Sequence, residues 1–315
     1  MQQNPKKIIL GNTQSPGDVL VMTGAIECLH EQYPGKYLTG VSTTANQVFE
    51  NNPHITPLDK GDPDVRFIPM HYPLINSCNQ RPVHFLQGYC DYLGEQLGHP
   101  IACTTRRPHL YISEQENAWL PQVHEVTRKP VKYWVINAGT KFDYTAKNWG
   151  IQNYQTLVEI LYGKVQFIQI GATEHMHRPL SGVIDLVGKT DIRQLIRLCW
   201  HAEGGVGPVT FLHHIMGAFE KPYVCLNGGR EPVSWEQYPT ATVMSNVGKL
   251  PCCQFSGCWR SRTVGLGDGD EKDNSLCELP VFGGEDTIPK CMAMIHPEEV
   301  ARAIEQYYLG GVLKY

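Results

Sequence analysis

The 315-residue sequence contains no apolar run near the roughly 18 residues that a membrane-spanning helix requires, so no bilayer span is expected. Positive charge is not in excess either. The 27 Lys and Arg against 31 Asp and Glu give a formal net charge of -4, which excludes a basic field for wrapping nucleic acid. No G-x-G-x-x-G follows a strand-like segment, which removes the usual fingerprint of a nicotinamide or flavin dehydrogenase. There is no G-x-x-x-x-G-K-[ST] for a P-loop and no G-x-S-x-G for a hydrolase elbow. The apolar run Ile8-Ile9-Leu10 is too short for a signal peptide and reads as a first strand, so a bacterial-type cytoplasmic enzyme is the simplest expectation.

What is present is an ordinary globular composition with an unusual number of cysteines, eleven. Six of them (Cys28, Cys78, Cys90, Cys103, Cys199, Cys225) are scattered and read as small buried hydrophobes. The other five lie between positions 252 and 291 and need their own explanation.

Strand-like and helix-like segments alternate along the chain, which predicts parallel sheets and an α/β fold. Lys7 to Gly11 reads as a strand, and Val19 to Tyr33 carries apolar residues at helical spacing. Tyr37 to Val41 is a second strand, Asn46 to Phe49 a short helix and Phe85 to Leu97 a longer one, with less regular chain between Gly61 and Arg107. A second unit opens with the strand Lys132 to Ala138. It continues through a helix from Asn153, strands at Val165 to Ile170 and Val183 to Leu186, and a helix capped by Asp191. Gly204 to Val206 and Pro222 to Leu226 are further strands around a helix from Thr210 to Phe219. A last helix starts at Pro297 beside Glu298 and Glu299. The expected organisation is two doubly wound, Rossmann-like domains, 1–128 on the acceptor side and 129–296 on the donor side. The helix of 297–315 is expected to pack back on the first domain.

In such sheets ligands sit at the carboxyl ends of the strands, and four segments fall there. The turn Ser15-Pro16-Gly17-Asp18 opens a helix; Asp18 reads as a general base for an acceptor hydroxyl, or as a simple charge at a helix N-terminus. Gly139-Thr140, followed by Lys147, could cradle a diphosphate, with Lys147 stabilising the departing charge. Gly207-Pro208 with Thr210-Phe211 starts a helix whose free N–H groups suit phosphate or sugar oxygens, and His213 and His214 follow on different faces. Gly229-Arg230 ends another strand, where Arg230 could meet phosphate or pair with Glu231. Gly171 closes the strand between these segments.

In order and spacing these segments resemble glycosyltransferase family nine, the ADP-heptose heptosyltransferases. The likeness rests on Gly17-Asp18-Val19-Leu20 with Thr23, on Lys147-Asn148-Trp149, on Leu186-Val187-Gly188-Lys189-Thr190, and on Val206-Gly207 through His214 to Val224. It implies a GT-B fold and inverting transfer of a sugar, a heptose in most of the family, from an ADP-sugar-like donor to a protein or glycan hydroxyl. It also implies Asp18 as base, Lys147 on the donor phosphate, Thr190 by the adenine, and His214 on the donor-side helix. Where the family has Asp-[Ser/Thr]-Gly, this chain has Val209-Thr210-Phe211. Homo-oligomerisation is compatible with this reading.

The cysteine group Cys252-Cys253-x4-Cys258-x18-Cys277-x13-Cys291 reads as a tetrathiolate metal loop over 250–292, with one adjacent cysteine spare. Thiolates suit iron or zinc, and four of them leave no open position for substrate, which makes the ion structural; paired disulfides or idle thiols are the other readings. This resembles the cysteine-bearing branch that includes bacterial autotransporter heptosyltransferases, where the metal is iron. The ion would staple the glycine-rich segment from Thr263 to Asp270, and transfer itself needs none. Two other functions stay open: a nucleotide-sugar epimerase on the same architecture, and a binding protein without activity.

Overall fold

The computed structural model describes residues 4–71, 74, 75 and 77–315; residues 1–3, 72, 73 and 76 lie outside it. The chain opens with β1 (Lys6–Asn12), whose last five residues are buried. Asn12 and a short turn lead into α1 (Pro16–Gln32). Proline suits the first helical turn because its missing N–H needs no partner there. The Ser15 N–H donates to the Asp18 carboxylate at 3.0 Å, closing a capping box. Beyond that turn α1 is buried on most faces, as expected of a helix held between layers. β2 (Tyr37–Thr43) and β3 (Val65–Pro69) flank β1 in a three-stranded parallel sheet, order β2-β1-β3. α2 (Phe85–Leu97) packs on α1 and ends at Gly98, whose φ of 74° forms a left-handed cap. Two short helices, α3 (Glu114–Ala118) and α4 (Gln122–Thr127), carry the chain onward.

The second sheet contains β4 (Trp134–Ile136) and, after α5 (Ile151–Ile160), β5 (Phe167–Gln169) and β6 (Ile184–Asp185). Next come α6 (Ile192–His201), β7 (Gly204–Pro208), α7 (Phe211–Ala218), β8 (Tyr223–Gly228), α8 (Val233–Glu236) and β9 (Ala241–Ser245). All six strands are parallel, in the order β6-β5-β4-β7-β8-β9. The winding direction reverses between β4 and β7, so the crevice outside their carboxyl ends is the natural ligand position. Strands this short are held by burial on both faces. In β7 glycine is required, since a Cβ on Gly204 would lie 2.8 Å from the Trp134 ring.

An antiparallel hairpin, β10 (Pro280–Gly283) and β11 (Asp286–Pro289), leads through α9 (Lys290–Ala293) to α10 (Pro297–Leu309). The return of this last helix to the first unit, expected from the sequence, does not occur. Val300, Ala301 and Ile304 are buried in the core of the second sheet, α10 packs on α5, and Trp134 Nε1 donates to Tyr308 Oη at 2.8 Å. The amphipathic face of α10 is satisfied by the nearest apolar layer. The two sheets meet instead through α1 and α7, within one continuous apolar core. No helix among the described residues is long and apolar enough to cross a membrane.

Candidate functional site

The crevice at β4 and β7 is built from backbone first. The Asn137 N–H donates to Val206 O at 3.0 Å, and Asn137 Nδ2 donates to Thr210 Oγ1 at 3.1 Å, tying the loop after β4 to the start of α7. Lys147 reaches the same place: its Nζ donates to Val209 O at 2.9 Å and pairs with Glu231 Oε1 at 2.9 Å. Glu231 is also bonded by Arg230, whose Nε donates to Arg260 O at 2.6 Å. The ammonium of Lys147 is therefore held at the N-terminal end of α7, where unpaired N–H groups and the helix dipole already favour an anion. Two cations against one ionised acid leave this cluster with net positive charge, as a diphosphate would require.

The other wall comes from the first sheet. α1 delivers half-buried Asp18 and buried Gly17 against α7: a Cβ on Gly17 would lie 2.9 Å from His214 Cδ2 and 3.6 Å from Phe211 Cα. Lys141 Nζ donates to Ser15 Oγ at 3.0 Å across the same junction. His214 is buried, with Nδ1 2.7 Å from Tyr238 Oη and Nε2 3.4 Å from Glu236 Oε2. Burial first, then His213 and Lys147, push the His214 pKa well below its ordinary value, so the ring is neutral. Burial also raises Glu236 well above the usual carboxylate range, helped by the Glu231 charge and by Asp18. Burial acts the same way on Glu231, but Lys147 and Arg230 overcome it and hold that carboxyl below its ordinary value. Two neighbouring buried acids are thus driven to opposite protonation states, an arrangement common in active sites.

The structure brings Gly17, Asp18, Lys147, Pro208, Thr210, Phe211 and His214 to this junction. Gly139 and Gly171 serve a different neighbour. A Cβ on either would run into the His177 ring, at 2.3 Å and 2.4 Å, so both glycines make room for that side chain between the ends of β4 and β5. Gly207 is closed in by Asn137 and by Tyr223 Oη, at 3.1 and 3.2 Å from its would-be Cβ. Thr190 directly precedes Asp191, the cap of α6, whose carboxylate accepts from Gln194 N at 2.7 Å. Gly229 lies under the cysteine loop, with Cys253 Sγ 2.9 Å from its would-be Cβ. Arg230 is buried, paired with Glu231, and lies over the Tyr144 and Trp259 rings. Sequence reasoning missed Glu236 and Tyr238. The available signal was their place in the loop that follows a strand end, Gly229 to Tyr238.

Among the five clustered cysteines, Cys252, Cys258, Cys277 and Cys291 line one small cavity beside Gly229 and Arg230, under the β10–β11 hairpin. Cys253 Sγ donates to Asn246 O at 3.5 Å and also lies against Gly229, at the edge of the same group. Four thiols are the ligand type that suits iron or zinc, but no three of these sulfurs lie within 4.8 Å of one another. The glycine-rich segment after Thr263 is organised by buried Arg262, which donates to both Asp268 oxygens at 2.8 and 2.9 Å and also bonds Asp273.

A family model described as glycosyltransferase family 9 (heptosyltransferase) matches residues 80–256. The fold is shared with the family 9 glycosyl transferase of Veillonella parvula (TM-score 0.66, 16% identity, 99% of each chain covered). ADP-heptose LPS heptosyltransferase II of E. coli aligns with a TM-score of 0.61 at 14% identity, over 98% of this chain and 100% of that one. The iron-containing dodecameric glycosyltransferase TibC of enterotoxigenic E. coli aligns at 0.62 and 17%, over 99% of this chain and 78% of TibC. No curated protein matches by sequence. The architecture is GT-B, with two parallel-sheet units meeting at the site described above.

Proposed function

This chain belongs to glycosyltransferase family 9, and from that premise we propose that it moves a heptose from an ADP-heptose donor to a hydroxyl of a protein or glycan, with inversion. The observation that carries the reading is the close contact of α1 with α7 at Gly17, the residue next to Asp18, beside the anchored Lys147 at the start of α7. ADP-heptose is named for the E. coli enzyme, and TibC has been seen with ADP-D-beta-D-heptose.

In this mechanism Asp18 takes the proton of the acceptor hydroxyl as its oxygen attacks the anomeric carbon. The leaving ADP develops charge beside Lys147 and the first turn of α7, which are already fixed and need little rearrangement. Glu231 positions Lys147, and neutral His214 lies beside Glu236 without adding charge next to the base. Gly207, Pro208, Thr210 and Phe211 shape the diphosphate and sugar end of the crevice, and Thr190 and Gly171 the nucleoside end.

Cys252, Cys258, Cys277 and Cys291 are proposed to hold one structural iron or zinc ion. When bound, the ion ties the Cys252–Cys258 turn to the hairpin, and no step of transfer involves it. We also propose a cytoplasmic, self-associating enzyme; light scattering on the purified protein checks its assembly.

Asp18→Asn tests the base. The variant should still bind ADP-heptose in calorimetry while transfer falls by at least about 100-fold, the lower range for loss of a general base. Undiminished transfer in the variant overturns the assignment, and donor turnover without any acceptor would instead indicate an epimerase.

A further inference from the structure

A second group of thiols lies far from the crevice, in the first unit. Cys28 on α1, Cys90 on α2 and Cys103 in the chain after α2 place their sulfurs all within 4.8 Å of one another. They are the only such group of potential ligands among the described residues. Ordinary packing of buried cysteines does not require three sulfurs from three separate segments to converge on one point. A metal site does. With metal–sulfur bonds of about 2.3 Å, sulfurs sharing one ion stand roughly 3.8–4.0 Å apart, which falls within the observed limit.

We propose that Cys28, Cys90 and Cys103 form a metal site for a soft, thiophilic d10 cation held by three thiolates. A disulfide would use only two of the three and leave the third sulfur without purpose. Three soft ligands and no histidine or carboxylate among them select ions of the zinc, cadmium or copper(I) kind over magnesium or calcium. Cys28 and Cys90 are fully buried and Cys103 is half-buried, so an ion enters from the Cys103 side.

The surroundings support ligation. Cys28 Sγ lies 3.3 Å from Thr104 Oγ1, and that hydroxyl donates to Glu31 Oε2 at 3.0 Å. Its single proton can turn to the sulfur once Cys28 is a thiolate, which makes Thr104 an outer-sphere donor of the kind that tunes metal sites. Binding forms up to three metal–sulfur bonds and releases the thiol protons to the buffer, with no change of oxidation state. The ion would pin the C-terminal half of α1, whose first turn carries Asp18, to α2 and to the chain that returns from it.

The test uses the full chain, reduced, with cadmium(II) as the probe, comparing wild type with Cys103→Ser and Cys90→Ser. Wild type should take up one more tightly bound cadmium per chain than either variant. It should also show the stronger thiolate-to-metal charge-transfer absorption, with affinity at this site falling by about 100-fold or more on loss of a ligand. Circular dichroism and a melting curve confirm folding, and because Cys103 is half-buried, its variant serves if Cys90→Ser does not fold. Equal cadmium uptake by wild type and a folded variant overturns the proposal. So does a Cys28–Cys90, Cys28–Cys103 or Cys90–Cys103 disulfide found by mass spectrometry in protein purified without reductant. Neither result bears on Asp18 or on sugar transfer.

Discussion

Gly17 is the residue at which one added methyl group would force the two walls of the site apart. Its missing Cβ leaves room for the His214 ring 2.9 Å away, a contact that α1 and α7 cannot widen without moving Asp18. Gly17→Ala should lower transfer at saturating donor and cost roughly 1–3 kcal/mol of stability, the range for an overpacked contact; steady-state kinetics and urea unfolding check both. Lys147→Met removes the cation that Glu231 and Val209 O hold in place. ADP should then bind at least about 10-fold more weakly, equivalent to ~1.4 kcal/mol, and calorimetry reads the difference. The placement of Asp18 and Lys147 between a strand end and the next helix was legible in the sequence because each sits in a strand–loop–helix turn, a local pattern. Glu236 was not, because its significance arises from its place beside Glu231 and His214, groups that only the folded sheet assembles.

At the scale of elements, α3 shows how a five-residue helix fixes the larger ones around it. Ser113 and Glu116 form a capping box, and the Glu116 carboxylate also accepts from Arg193 Nε and Nη2 of α6 and from Asn51 Nδ2 of the first unit. Burial works against the charge, yet the bonds from Arg193 and Ser113 bring the Glu116 pKa down to about 2. A carboxyl lowered on folding stabilises the native state above its unfolded pKa, near 4.5, and that stabilisation is lost as pH falls towards 2. The contribution is on the order of 3 kcal/mol at neutral pH. Glu116→Gln should therefore melt well below wild type at pH 7, with the gap closing as both are taken towards pH 2 in a series of melting curves. Helices with capping signals, such as α6 behind Asp191 and α2 before Gly98, were readable from sequence. β9 and the β10–β11 hairpin were not, since an edge strand and an isolated hairpin carry no continuous apolar run. α10 was readable as a helix but not in its destination, because an amphipathic face says that a helix packs and not which layer receives it.

For the whole molecule, the tetrathiolate proposal makes a prediction distinct from catalysis. Purified protein should carry iron or zinc by elemental analysis, and stripping it with a chelator should lower the melting temperature. ADP binding should weaken less than stability falls, because the cavity touches the donor site only through Arg230 and Ala146 and not through Lys147 itself. Two Rossmann-like units could be inferred from the alternation of strands and helices, and GT-B from the family resemblance, whereas the meeting of α1 with α7 needed the folded chain. The path of the backbone has one more consequence. It passes from the three-stranded sheet to the six-stranded sheet once, and α10 stays with the second. A single crossover between the short helices and β4 therefore exchanges the three-stranded half without rethreading the six-stranded one, provided that the new half also matches the apolar core shared through α1 and α7.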